Sequence, residues 1–470
     1  MLRTISALVL LAAALSLSTR PLPAQLATSP ADQKLALDIY KEFIEIQSGF
    51  STGATTPVAE AAARYLRAAG FPESDIFLGG AKASKFNMVV RYHGTGSLKP
   101  ILLLAHTDVV EAKREDWSMD PFKFIEKDGY YYGRGTGDDK AQAAVWLATL
   151  IRMKHENFKP DRDIILALTA DEEGGGPFNG VDWLLTNHRE LIDADFALNE
   201  GGWGESSPDG KKISNDLQVS EKYVINFNFE VRNKGGHSSM PVPDNAIYHL
   251  AAALDKLAHF GFPLKTNAVT TAYFTQMAKL QTGPIASDLA QAANGSQAAM
   301  EHVAAASPNW NSTLRTTCVA TMLAGGHALN ALPQLATASV NCRVLPEDSP
   351  DYVLATLTKV IADPEVKISS LVNNSGGVPS PMRPDILDAV KQSNAAEFPG
   401  VPVLPIMVVG ATDGRFLRSA GIPCYGVQGF FFAPDDIRFH GRDERMPVKS
   451  FYEGEAFMYD LVKRLSTPAK

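Results

Sequence analysis

The chain has 470 residues, with 44 Lys and Arg against 52 Asp and Glu and a formal charge of −8 at pH 7. Its 45 % hydrophobic and 20 % charged residues fall in the range of ordinary globular proteins, outside that of disordered or collagen-like chains. An acidic, evenly mixed surface argues against nucleic acid or anionic membrane as the main partner, because binding phosphates needs a basic face. At roughly 150 residues per domain the length allows two or three domains, each able to bury a core without staples.

Arg3, the apolar stretch 5–17 and the small Ala24 after Leu22-Pro23 read as a secretory signal peptide over 1–24. The stretch is too short for a membrane span, which needs about 20 apolar residues, so the mature chain is expected to be exported, periplasmic or extracellular, without an anchor. Cys318, Cys342 and Cys424 are too few for a disulfide framework and leave a single Cys318–Cys342 bridge open.

From Ala31, the residues Leu35, Ile39, Phe43 and Ile46 recur every three or four positions and predict an amphipathic helix; Pro57 then opens a second helix that Gly70 closes. Short apolar runs at 88–90, 101–104, 164–168 and 196–198 alternate with helical segments such as 141–152 and 181–185. That alternation predicts an α/β fold with a sheet at least partly parallel, the first part of a catalytic domain over 25–212. After Trp203 the rhythm changes: Tyr223, Ile225, Phe227, Phe229 and Val231 alternate with mostly polar neighbours, as in an antiparallel strand with one wet face. An inserted α+β domain over 213–345 is expected to hold this strand, a helix over 245–259, the Ala/Gln/Ser-rich stretch 287–307 and a hairpin from 316–322 to 336–344. Helix–strand alternation returns at Tyr352, so 346–470 completes the catalytic domain.

Four strand ends carry ionisable residues. His106 and Asp108 follow Leu102-Leu103-Leu104-Ala105, and Asp171-Glu172-Glu173 follow the run 164–168 with glycines behind them. Asp138 and Asp139 precede a helix, and Glu200 follows the run 196–198. Singly, His106 reads equally as a histidine that caps a strand, and an acidic run reads more readily as a solvated loop. Together they make a convergent set of imidazole and carboxylate donors at the ends of strands, where open α/β sheets bind ligands. That donor mixture suits zinc, with cobalt or manganese as substitutes. The segment Gly133-Arg134-Gly135-Thr136-Gly137-Asp138 fails as a dinucleotide fingerprint because an acid stands where the third glycine must sit. Gly49-Phe50-Ser51-Thr52-Gly53 fits the serine-hydrolase pattern, but a helix precedes it and a loop follows, the reverse of what that motif needs.

In kind and in order these motifs resemble the co-catalytic di-zinc peptidase family that includes aminoacylase, carboxypeptidase S, glutamate carboxypeptidase, carnosinase-like dipeptidases and acetylornithine deacetylase. The resemblance implies a mixed-sheet zinc exopeptidase catalytic domain with an inserted lid of the dimerisation type. It implies two zinc ions per chain, one held by His106, Asp138 and Glu200, the other by Asp138, Glu173 and His440 of the segment His440-Gly441-Arg442-Asp443-Glu444-Arg445. It also implies a cis peptide between Asp138 and Asp139, Asp108 orienting His106, and Glu172 as general base and acid. From the lid, His237 would stabilise the oxyanion, often in a partner's site, while Asn330 and Arg343 would bind substrate. A cross-strand ion pair is the plain alternative for Arg343. The expected reaction is attack of metal-bound hydroxide on an amide next to a free carboxylate. Glu at position 200 favours the aminoacylase and carboxypeptidase branches, with carboxypeptidase first, N-acyl-amino-acid hydrolase second and dipeptidase as a further alternative. The substrate would be a small peptide or N-acyl amino acid, and a homodimer through the lid is expected. The stretch 287–307 exceeds what the family's lid needs. A metal-free binding protein on the same fold is the competing class.

Overall fold

The first helix, Pro30–Glu45, is capped by Ser29, whose side chain accepts from the Asp32 amide, while Pro30 supplies the fixed φ of a first turn. Ile39 and Phe43 on its inner face are fully buried. In the computed structural model, residues 28–174, 176–372 and 378–467 are described; the expected signal segment 1–24 lies outside them. The second helix, Thr56–Ala68, also starts with a proline in its first turn, and Gly70 takes the left-handed φ of +80° that ends it.

A ten-stranded mixed sheet forms the frame. At its centre the strand Leu98–His106 lies between Arg162–Thr169 and Phe196–Asn199 and runs parallel to both. These central strands read as unbroken apolar runs because both faces are covered. The helix Lys140–His155, buried on nearly every side, covers one face together with Pro30–Glu45 and the C-terminal helix Val448–Ser466. The helix Gly180–Asn187 and a smaller cluster around Leu102, Leu104 and Ile165 close the other.

The second sheet is antiparallel, in the order Thr317–Gly325, Leu335–Val344, Tyr223–Arg232, Lys367–Val372. Burial alternates strictly along Tyr223–Val231, as the sequence predicts, and the helices Ala246–Ala258 and Pro350–Ile361 pack on the covered face. Cys318 and Cys342 are directly paired across two of its strands and are disulfide-bonded.

The boundaries of the insertion differ from the expected 213–345. The strand Lys212–Glu221 belongs to the large sheet, where it pairs in parallel with Val403–Val408, so the chain leaves the frame only at Lys222. Conversely, Pro350–Ile361 and Lys367–Val372, expected in the catalytic part, complete the lid. The stretch 287–307 does not join the lid sheet either. It forms the helices Pro284–Ala293 and Gln297–Ala306, which with Ala268–Leu280 and Pro308–Leu314 build a separate cluster. That cluster packs on Leu404 and Ile406 of the large sheet. Alanine repeats leave no clear apolar stripe, so which neighbour these helices chose was not written in their pattern.

Candidate metal centre

The three parallel central strands deliver the first residues side by side: one ends on His106, the second runs into Ala170-Asp171-Glu172-Glu173 and the third into Glu200. Asp138 comes from the loop ahead of Lys140–His155, and His440 from the loop before the strand Arg445–Pro447. Phe439 fixes the second loop on the first: its ring lies where a Cβ on Gly137 would stand, 2.1 Å from that position, so only glycine permits the approach.

Two trios result, His106–Asp138–Glu200 and Asp138–Glu173–His440, with the donor atoms of each within 4.8 Å of one another. His106 Nε2 is 2.9 Å from Asp138 Oδ1 and 3.8 Å from Glu200 Oε1. His440 Nε2 is 3.0 Å from Asp138 Oδ2 and 3.0 Å from Glu173 Oε1. Asp138 therefore turns one oxygen to each trio. The Asp138–Asp139 peptide is cis.

The charge balance fits cations. Burial pushes the Glu200 carboxyl up, opposed by His106 and reinforced by Asp138, and burial likewise raises Glu173. For Asp138, hydrogen bonds from His106 and His440 outweigh burial and hold the carboxyl low. Burial opposes charging His106, yet Glu200, Asp108 and Asp138 together raise it well above the ordinary histidine range. Three carboxylates and two imidazoles that can be reconciled only by binding protons are a donor set that divalent cations would satisfy instead.

Glu172 belongs to neither trio. Its carboxyl is pushed well up by burial first, then by Asp413, with Glu173 and Asp108 adding to the effect. A carboxyl tuned upward beside a metal-donor set suits proton transfer.

Residues 102–464 match Peptidase family M20/M25/M40. The chain is a member of this family. Human N-fatty-acyl-amino acid synthase/hydrolase PM20D1 is 30 % identical over 382 residues, covering 79 % of this chain and 75 % of that protein. The probable carboxypeptidase S-like 2 of Dictyostelium discoideum is 30 % identical over 405 residues, 84 % and 77 % of the two chains. The M20 metallo-carboxypeptidase Sso-CP2 of Sulfolobus solfataricus shares the fold with a TM-score of 0.68 at 18 % identity, over 91 % of this chain and 98 % of that one. The family is one of dinuclear metal-binding peptidases, and this M20 chain is a metal-dependent hydrolase by membership.

Other groups hold the M20 site in shape. Asp108 does so differently from expectation. The ring Nδ1 of His106 is 3.0 Å from the Asp108 carbonyl oxygen and 3.7 Å from its carboxylate, which instead accepts from the amides of Glu172 and Glu173 at 3.1 Å each. Fixed turns usually leave acidic side chains to water; here one carboxylate fixes the backbone that carries two others. Three further residues had no assigned role. Glu444 accepts from the amides of Gly137 at 2.7 Å and Asp138 at 3.2 Å while paired with buried Arg134 at 2.6 Å. Lys85 pairs with Asp171 at 2.7 Å, both buried. Asp413 accepts from Asn179 Nδ2 at 2.6 Å and faces Glu172. The HxxxER segment contains Glu444 and could have flagged it; nothing local marks Lys85.

The lid residues belong to neither trio. His237 and Asn330 are exposed and adjacent on a short ribbon, where the Ser238 amide donates to the Asn330 carbonyl at 3.0 Å, and the partner of the His237 ring is Ser239. Arg343, half-buried, has no ion-pair partner among the described residues, so the cross-strand pair is not what the fold contains. Burial and then the charge of Arg415 lower its pKa; Lys222 is lowered by burial first and then by Arg343, with Asp348 opposing. Lys222 also donates to the Arg315 carbonyl, whereas Arg343 is left without a bonded acid among the described residues, and its planar fork suits a carboxylate. Ser51 is no nucleophile: its hydroxyl and amide both donate to Glu111 at 2.8 Å.

Proposed function

We propose that this M20 chain is an exported di-zinc hydrolase that cleaves the amide bond joining an acyl group to an amino acid with a free carboxylate. That bond is common to carboxypeptidases and N-acyl-amino-acid hydrolases. The observation that carries the reading is Glu172, a half-buried carboxyl outside both donor trios, which share Asp138. His106, Asp138 and Glu200 would hold one zinc and Asp138, Glu173 and His440 the other, supplying Lewis acidity and an acidified water when bound. Glu172 takes the proton of the attacking water on its carboxylate and returns it to the leaving amine nitrogen. Asp108 keeps Glu172 and Glu173 in place through their amides, and Arg343 with Arg415 receives the substrate carboxylate. Glu172→Gln should lower kcat by about three orders of magnitude, within the range for a positioned acid–base group, while the protein keeps two zinc per chain. Full activity in that variant, or metal-free protein that hydrolyses as well as the zinc form, would refute the assignment.

The lid supports a homodimer. Thr317–Gly325 is an edge strand, and its Val319, Met322 and Leu323 are 59 %, 70 % and 69 % exposed, an apolar edge that a second copy would cover. His237 and Asn330, exposed on the same lid, would then serve the partner's centre. Sedimentation should give a dimer that Leu323→Asp converts to monomer with loss of turnover; a monomeric, fully active wild type would contradict this.

A further inference from the structure

Four consecutive residues beyond the strand Arg162–Thr169 are each held by a side chain from elsewhere in the chain. The Ala170 amide donates to Asn87 Oδ1 at 3.0 Å, Lys85 Nζ stands 2.7 Å from Asp171 Oδ1, and the amides of Glu172 and Glu173 donate to Asp108. Asn87 and Lys85 come from the strand Phe86–Tyr92 and the residue before it. That strand runs antiparallel to Arg162–Thr169 with Met88 opposite Leu168, so three residues further in each direction Lys85 stands opposite Asp171. Side chains thus continue the ladder where the backbone pairing stops. Asp171 takes a φ of +62°, a left-handed conformation uncommon outside glycine that persists only where the surroundings enforce it. The chain also folds back over the pair: a Cβ on Gly174 would stand 2.9 Å from Asp171 Oδ1.

The same ammonium reaches a second segment. Lys85 Nζ donates to the Phe50 carbonyl at 2.6 Å, inside the Gly49–Gly53 stretch that fits a serine-hydrolase pattern without holding a nucleophile. That stretch lies along the chain just beyond Asp108: the Phe50 amide donates to the Val109 carbonyl at 3.0 Å, and the amides and hydroxyls of Ser51 and Thr52 donate to Glu111. We propose that Lys85 is a positioning residue of the metal centre, joining the turn that carries Glu172 and Glu173 to the segment braced by Glu111, and so setting where the carboxyl of Glu172 stands. The inference rests on the reading of Glu172 as the base and adds the group that places it. The side chains of Lys85 and Asp171 are 2 % and 6 % exposed. Desolvating two charges offsets most of their attraction, so such a pair contributes more to geometry than to net stability. Removing one partner alone strands a buried charge, whereas removing both leaves the fold little affected. The double variant therefore separates position from stability.

The test is Lys85→Met combined with Asp171→Asn in the zinc-loaded full chain, with turnover followed by release of phenylalanine from N-acetyl-phenylalanine and from the dipeptide Ala-Phe. The expected result is a kcat lower by about a hundredfold, the scale of a misplacement near 1 Å, with KM changed less than about threefold, zinc retained and the urea midpoint little altered. Restoring either partner alone should not restore the rate, because the two groups act as one unit. Arg162→Met breaks the pair with Asp195 at the far end of the same strand and serves as the comparison; it should lower the urea midpoint while keeping kcat. A kcat within about threefold of the wild type in the double variant, or an equal fall in Arg162→Met, would overturn the inference. Should the double variant not fold, Lys85→Gln, which can still donate, takes its place under the same kcat criterion. Deuterium uptake on chelator-treated protein separates this inference from the reading it rests on. Faster exchange over 170–174 in the double variant, with 162–168 unchanged, keeps the role of Lys85 even if Glu172→Gln proves active or neither amide is cleaved. Unchanged exchange over 170–174 overturns that role, and an inactive Glu172→Gln then leaves the base assignment standing.

Discussion

The two sheets of this M20 chain handle ionisable residues in opposite ways. In the large sheet, parallel neighbours finish on the same side, so His106, Glu172, Glu173 and Glu200 meet although 94 positions separate the first from the last. In the lid sheet, antiparallel strands alternate in direction, and alternation along each strand keeps one face wet. His237 and Asn330 accordingly remain exposed, and Arg343 is half-buried without an acid. Parallel topology brings His106, Glu173 and Glu200 together, and two loops add Asp138 and His440 to complete the donor set; antiparallel topology supplies groups that act only when something else arrives.

The difference can be broken at the buried end first. Glu444 and Arg134 are almost inaccessible, with side chains 1 % and 3 % exposed. Glu444→Ala leaves a buried guanidinium unpaired and frees the amides of Gly137 and Asp138, which should cost about 3–5 kcal/mol in urea unfolding and weaken zinc binding. A change under about 1 kcal/mol would mean that the frame does not depend on this pair.

Asp216 sharpens the contrast between acids with and without a cation site. Burial first, then Glu205, raises its pKa from 3.8 to about 7, with Ser214 opposing and Tyr273 also facing it. The folded state therefore holds a proton that the unfolded state has released between about pH 4 and pH 7, and stability from this group falls as pH rises through that window. Asp216→Asn should be more stable than the wild type by about 2 kcal/mol at pH 8, after allowance for partial exposure, and equal at pH 4. Urea midpoints of chelator-treated protein at the two pH values measure it; an equal gain at both would contradict the assignment.

The smallest effect is expected from the lid. Arg343→Ala should raise KM about tenfold for substrates with a free carboxylate, with kcat little changed, and leave the KM of amidated analogues unaltered. An equal rise for both would make Arg343 structural.

Much of the centre was legible because each motif is local: a strand run followed at once by His106, by Glu172-Glu173 or by Glu200. The contacts that support them were not: Lys85 acts across the 86 positions to Asp171, which no short-range pattern encodes, and even Glu444, inside the segment that carries His440, shows its role only once Gly137 and Arg134 are beside it. Lys212–Glu221 was misassigned for a related reason. An edge strand that continues toward the lid looks like the start of it until its partner, Val403–Val408, is known.

By itself the sequence determined the central strands and their flanking helices, the strand-end donors and the alternating lid strand, since all of these follow from side-chain period and local chemistry. Only the tertiary structure decided that Asp138 shares its two oxygens between the trios, that Asp108 fixes two amides, and that the helices over 268–314 pack on the large sheet. These depend on which distant surfaces pack together, and packing is a property of volumes and charges summed over the whole chain.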